Sequence, residues 1–433
     1  MAACRISAEF FGVVVTARVA FSKRSWPYLE ALVVPWLLCQ GQRCVTRLRA
    51  LAGHRRSLSS YYRFLAEGKF RWQVLCRCLF ELIEKTFRPE RLLIVVDDTL
   101  CPKWGRRIFG TAPFFDHVAR PRPGFLWGHN WLVLALVVSI AGCPVALPFW
   151  VQLYRPEKQC RKREFRTRLQ LAVEALQTVR DWTSRAIDVV ADGAYNNESL
   201  LTPLQSLGFS LVSRLRVDAR LRGDPPARLP GRRGRPPRYG PFLPRLSTWA
   251  RRRKGWRPTT VEIYRSRVRL LVQSFDAWWP TCGLLIRVVV VRDPRGRRRT
   301  SFLSSTDRTL SPEQIIERFA RRWSIEQLFA DAKQHLGLDS AEVRSPRSVH
   351  RHALLALALI TWTHVWHYLK YLRRCHKLPS QPRPAAVSLR GKLEKLRSEL
   401  AKTLIFPVRL RGTRSLRNTQ ALADLFARAL TAA

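Results

Sequence analysis

Three features of the sequence predict an α/β fold. Two short apolar runs, residues 92–96 and 187–191, read as buried strands, and each runs straight into acid, at Asp97 and Asp98 in one case and Asp192 in the other. Stretches of helical periodicity at 165–182 and 199–207 flank the second run. A further apolar run at 209–212 continues the alternation of strand and helix that marks an α/β layout.

The elements follow in chain order. Residues 27–87 place Tyr28, Leu29, Leu32, Val33, Leu48, Leu51, Tyr61, Phe64 and Leu65 at helical spacing, interleaved with Arg47, Arg49, Arg55, Arg56 and Arg63. A helical region over 1–88 is expected, either a DNA-binding module or a helical domain with a solvated basic face. The α/β core then occupies 89–216. Within it, 131–153 is long enough to raise a membrane span, but Gly142, Cys143 and Pro144 interrupt it, and Val137, Val138 and Ile140 favour strand. Two strands joined by a turn are expected, and no membrane association.

The alternation breaks at 217–299, which reads as a basic linker rich in Arg, Pro and Gly followed by a mostly β insertion with strands at 260–275 and 284–292. Ser311 and Pro312 open a helix as N-cap and first-turn residues, with Glu313 favourable beside them. That helix is expected to run to about His335 and stop at Gly337, so that 300–345 returns to the core. The remainder, 346–433, is helical and basic, with a strongly apolar stretch at 354–366.

Charge narrows the function classes. The 433 residues hold 77 Lys and Arg against 31 Asp and Glu, a formal net charge of +46. Self-repulsion on that scale opposes compaction unless a polyanion is near, and cations that neutralise phosphates gain free energy by releasing counterions. A GC-rich genome, which favours Arg codons, accounts for part of the excess but not for the scarcity of acids. With 46% hydrophobic residues and 15 Trp the chain can fold on its own. The ten cysteines are scattered without paired Cys-x-x-Cys units, so reduced, mostly buried thiols are expected and no structural zinc. Arg5, Glu9 and Arg18 break the apolar N-terminus and argue against a signal peptide.

In so basic a chain, acids at strand ends stand out. Asp98 and Asp192 each end an apolar strand, where side chains of α/β proteins project into a common crevice. Glu326 lies in the helix opened at Ser311. Two divalent ions about 3.5–4 Å apart need several hard oxygen ligands, which carboxylates from separate elements supply for phosphoryl transfer. Asp97 competes with Asp98 for the first position; strand neighbours point to opposite faces, so only one can face the ions, and the Thr99 that follows favours Asp98. Asp188 reads as the start of its strand. Phe319, Arg322, Glu326 and Lys333 are spaced to share one helix face, an acid flanked by two cations. A surface helix with an ordinary Arg–Glu pair has the same spacing.

That helix resembles the signature of the DDE insertion-sequence transposases of the YREK group, with Phe319 standing where the family has Tyr, followed by Arg322, Glu326 and Lys333 and then the run His335, Leu336, Gly337, Leu338. Asp98 with Thr99, and Asp192 with Gly193, look like the family's first two catalytic acids. The resemblance covers roughly residues 40–345. It implies a ribonuclease-H-like catalytic core interrupted by a β insertion between Asp192 and Glu326, an interval too long for one loop. It also implies cut-and-paste transposition: Asp98, Asp192 and Glu326 hold two magnesium ions, with manganese able to substitute, while Arg322 and Lys333 grip phosphates at the transposon ends. Phe319 keeps the ring packing of the family's Tyr and loses its hydroxyl. Double-stranded DNA, as transposon ends and target, is the implied partner, held by a homodimer in the bacterial cytoplasm at the nucleoid. A catalytically inactive, domesticated DNA-binding protein and a nuclease of the same fold are the rival readings.

Two basic or aromatic features remain. Arg233, Gly234, Arg235 and Pro236 resemble an AT-hook core, in which Arg233 and Arg235 enter a narrow minor groove, or form a solvated linker. Trp278 and Trp279 either pack the insertion or stack a flipped base. His350, His352, His364 and His367 have helical spacing without carboxylates nearby, as packing or DNA-facing residues.

Overall fold

A computed structural model describes residues 8–52, 56–116, 124–227, 235, 237–372 and 386–405. Five helices come first: α1 (Ala8–Val15), α2 (Trp26–Leu38), α3 (Val45–Leu51), α4 (Leu58–Glu67) and α5 (Trp72–Phe87). The core begins with β1 (Leu92–Pro102), β2 (Ala112–Asp116), β3 (Gly124–Ile140) and β4 (Cys143–Tyr154). Next are α6 (Arg168–Trp182), β5 (Ile187–Ala191), α7 (Glu198–Ser206) and β6 (Ser210–Arg214). A short α8 (Leu246–Arg251) precedes β7 (Arg257–Ile263), β8 (Ser266–Trp279), β9 (Leu284–Arg292) and β10 (Ser301–Ser305). Helices α9 (Pro312–Arg321), α10 (Ser324–Leu336), α11 (Pro346–His367) and α12 (Leu389–Ile405) finish the chain.

The ten strands found among the described residues form one mixed sheet in the order β2-β3-β1-β5-β6-β10-β9-β8-β7, with β4 paired to β3. Strands β1, β5 and β6 run parallel, while β3 lies antiparallel beside β1 and β4 antiparallel beside β3. Residues 131–153 therefore lie in two strands, joined by a tight turn in which Ala141 and Gly142 both have positive φ, the conformation that matches hairpin twist. No described helix is long and apolar enough to cross a membrane.

Local chemistry explains several boundaries. Thr167 and Gln170 form a reciprocal capping box that starts α6, and Ser311 and Gln314 do the same for α9. Gly337, in the left-handed region at φ 70°, ends α10 where the sequence placed the stop. Helix α11 is buried on nearly all sides because β4, α1, α4, α5, α10 and α12 all pack on it, which is why 354–366 is apolar without a polar face. His352, His364 and His367 are buried within that packing, and a His350 ring nitrogen lies 2.9 Å from the Val151 carbonyl, so these histidines serve packing.

Three expectations are corrected. The stretch 260–275 is not one strand but the hairpin of β7 and β8, turning at Tyr264 and Arg265, both at positive φ; no glycine or proline announces this turn. The strand expected to end at the acids runs on to Pro102, so Asp97 and Asp98 lie inside β1, while β10 pairs with both β6 and β9 and carries the core sheet onward. The helix expected over 311–335 breaks at Arg322 and Trp323, where successive i→i+3 bonds (Arg322 to Phe319, Trp323 to Ala320, Ile325 to Arg322) tighten the backbone.

Candidate active site

The register of β1 and β5 decides which acids meet. Val96 is paired with Ala191 across these parallel strands, and the next residue on each is Asp97 and Asp192. Paired positions on neighbouring strands project to the same face, with strands about 4.8 Å apart. Asp192 keeps an extended backbone (φ −72°, ψ 167°), so its side chain continues the pleat of β5. Asp97 and Asp192 are thus lateral neighbours, and Asp98 points to the other side of the sheet.

Helices confirm the phase. On the Asp97 side, the Arg322 guanidinium at the break between α9 and α10 donates to Asp97 Oδ2 at 3.0 Å and to Glu326 Oε1 at 2.7 Å. One cation therefore bridges the acid on β1 and the helix acid. The broken helix lets Arg322 turn inward, where it is only 9% exposed and also reaches Asp97, while Glu326 stays 46% exposed, so the pair is more than a surface i,i+4 contact. Burial pushes the Asp97 carboxyl up to about 7 against the pull of Arg322, and the Asp98 and Asp192 charges push the same way as burial.

Asp98 has a different set of partners. Its Oδ1 accepts from the Tyr195 hydroxyl at 2.8 Å and its Oδ2 from Arg168 at 3.0 Å, at the first residue of α6. Tyr195 is buried and follows Asp192 by three residues, so the Asp98–Tyr195 bond fastens the Asp192 loop to the middle of β1. The structure thus brings together Asp97, Arg322 and Glu326, with Asp192 beside Asp97, and leaves Asp98 outside that group. Asp188, which is 2% exposed, sits at the opposite end of β5 among Arg91, Ser210 and Arg318.

The remaining candidates spread out. Lys333 lies two turns beyond Glu326 on α10 and lines a broad cleft. Phe319 is half-buried with the Arg322 guanidinium 5.8 Å from its ring centroid. Arg235 is exposed, and Arg233 lies outside the described residues. Trp278 donates its indole N–H to Asp224 and packs against Tyr239, which is the packing alternative.

Asp97, Asp192 and Glu326 offer hard oxygens from two strands and a helix, the donor chemistry that divalent cations such as magnesium require. That Asp97 and Glu326 already share a guanidinium shows they aim at one point where positive charge is favoured. Among the described residues no three acids are gathered tightly enough to enclose an ion, and Arg322 stands between two of them. The donor set fits a divalent ion once that guanidinium withdraws.

The sequence profile of the family described as DDE superfamily endonuclease matches residues 19–269, more than half of the chain. The chain belongs to this family of DDE endonucleases. The matched stretch contains β1 and β5 with Asp97, Asp98 and Asp192, and ends before Glu326. No curated protein matches the chain. Membership makes this endonuclease a DNA-acting member of the ribonuclease-H-like DDE enzymes, a class that typically uses divalent metal ions, and Asp97 and Asp192 lie on the part of the sheet where β4, β3 and β1 are followed by parallel β5 and β6.

Proposed function

We propose that this DDE endonuclease is a cut-and-paste transposase that hydrolyses DNA at the ends of its own mobile element and joins the freed 3′ ends to target DNA. Asp97, Asp192 and Glu326 are its metal-holding carboxylates, and Asp98 is a positioning residue that ties the Asp192 loop to β1 through Tyr195. The observation that carries this reading is the parallel register that sets Asp97 beside Asp192, on the face where Arg322 joins Asp97 to Glu326.

Bound magnesium, or manganese in its place, supplies charge for the scissile phosphate and lowers the pKa of the attacking water. The chain's own residues prepare that centre. Asp97, buried and crowded by other acids, is raised to about 7 even with Arg322 beside it, so a further cation at this point favours its ionised form. Arg322 is the cation that faces it in the DNA-free protein. An incoming phosphate competes for the guanidinium, and its departure from Asp97 and Glu326 opens the carboxylates to metal. Lys333, further along α10, adds a second phosphate contact. Two ends have to be held at once, which calls for a homodimer on DNA, with the net charge of +46 favouring the encounter.

The test is incubation of the full chain with duplexes bearing the DNA that flanks its gene, plus a supercoiled target. Magnesium-dependent nicks leaving 3′ hydroxyls, and covalent joining of those ends to the target, are expected. Tight binding without cleavage would instead support the inactive DNA-binding protein, and cleavage without joining a plain nuclease.

Arg322→Ala separates the two roles of the guanidinium. DNA-free protein should bind manganese more tightly, because the competing cation is gone. Cleavage should nevertheless fall about 10- to 100-fold, the worth of a charge-assisted hydrogen bond of roughly 1.5–3 kcal/mol. Cleavage that rises together with metal affinity would mean that Arg322 only occupies the metal position and does not touch the phosphate.

A further inference from the structure

Trp104 is 96% exposed, the most exposed large apolar side chain among the described residues. An indole costs free energy in water, and when it is presented singly on a fixed loop it asks for a planar partner. The loop is held firmly. Lys103, itself buried, donates its ammonium to the carbonyls of Asp339 and Ala341 at 2.5 and 2.9 Å, and its backbone N–H to Trp127. At the other end the Phe109 N–H donates to the Arg344 carbonyl. Trp104 thus stands on an anchored segment between two pinned points.

That segment forms one wall of a cleft of about 1370 Å³, whose other walls are the α2–α3 connection, α4 and residues 333–348. The volume exceeds the roughly 300–1,000 Å³ of a small-molecule site and suits an extended polymer. Arg63, Arg106, Arg107, Lys333 and Arg344 line it against three acids, Glu67, Asp339 and Glu342. Arg43 also reaches the wall, but its guanidinium is spent on the carbonyls of Cys39 and Gly41.

The cleft is close to the acids. It begins at Pro102, five residues beyond Asp97 on β1, or about 17 Å of strand. Lys333 is seven residues from Glu326, or about 10 Å of helix. These lengths place the near edge of Trp104's cleft roughly 10–17 Å from the acids, a few nucleotides of strand from the proposed scissile phosphate.

We propose that this cleft is a single-strand subsite: cations from α4, the β1–β2 loop, α10 and the segment after it follow the backbone of an unpaired DNA strand, and Trp104 stacks one of its bases. The proposal rests on the endonuclease reading above for the position of the scissile phosphate. Duplex bases are already stacked on one another, whereas an unpaired base exposes the face that an indole can cover, and stacking tolerates any sequence.

The experiment measures binding of a short oligothymidylate, and of a duplex of equal length, to the full chain in chelator at fixed salt. Wild type, Trp104→Ala and Trp104→Phe are compared. Trp104→Ala should weaken single-strand binding by about 5- to 100-fold, the loss of one stacked base, and Trp104→Phe should recover most of it. Duplex binding and the salt slope should not change, because no cation is removed. The side chain is almost wholly in solvent, so both variants should melt as wild type does. Unchanged single-strand binding in Trp104→Ala overturns the proposal, as does an equal loss on both substrates, which would make Trp104 a wedge into duplex. Failure of the wild type to bind single strands also overturns it. Since no divalent ion or cleavage is involved, a chain that binds single strands through Trp104 yet never cuts would refute the transposase reading and leave this subsite standing.

Discussion

Asp97→Asn is expected to lower DNA cleavage at least about a thousandfold, while Asp98→Asn keeps it within about tenfold of wild type. The first change removes a charged oxygen donor from the metal centre proposed for Asp97, Asp192 and Glu326; a loss of several kcal/mol in charge stabilisation corresponds to about three powers of ten. Asn at 98 still accepts from Tyr195, and the link it loses is to an Arg168 side chain that is 49% exposed, a pairing worth roughly 0–1 kcal/mol. Cleavage rates under saturating DNA and magnesium decide the matter. The reverse order of effects would return the catalytic role to Asp98 and would require β1 to sit one residue out of its present register.

The largest loss of stability is expected at Asp188, which lies outside the proposed metal centre. Its carboxylate is 2% exposed and accepts from Arg91 at 2.7 and 3.1 Å and from Ser210 at 2.6 Å, with the Arg318 guanidinium 2.9 Å away. It fastens the start of β5 to the approach of β1, to β6 and to α9. Asp188→Ala leaves the largely buried Arg318 without its anion while Arg91, 46% exposed, can turn to water, so the loss is expected toward the lower end of the about 3–5 kcal/mol that removing one partner of a buried ion pair costs. Denaturant unfolding should register that loss. Folded protein assayed in the cold should still cleave, since Asp188 lies at the far end of β5 from Asp192. A variant as stable as wild type would mean that the network does not hold these strands together.

Much of this was written in local sequence. Apolar runs ending in acid, the capping boxes at Thr167 and Ser311, and the stop at Gly337 each depend on residues within a turn or two of one another. The choice between Asp97 and Asp98 is of another kind. Thr99 pointed to Asp98, but the phase of β1 against the acids is fixed by its pairing with β5, and Val96 and Ala191 are far apart in the chain. The same holds for Arg322. Its spacing to Glu326 was legible, yet the tightening of the helix at Trp323 has no proline or glycine to announce it, so a surface pair could not be told from a buried clasp. The turn at Tyr264 and Arg265 was hidden for a similar reason, since both residues favour strands or helices over left-handed backbone. Trp104 carries no sequence signal at all, because exposure is set by the walls around it.

The claim that Asp97, Asp192 and Glu326 form one metal centre is tested most directly by iron-mediated cleavage of the polypeptide. Ferrous ion bound in place of magnesium, with peroxide and a thiol reductant, cuts backbone within a few ångströms of its position and needs no catalytic activity. The account predicts cuts clustered around residues 97, 192 and 326, enhanced by DNA, suppressed by excess magnesium, lost in Asp97→Asn and retained in Asp98→Asn. Cuts that survive in Asp97→Asn and vanish in Asp98→Asn would contradict it.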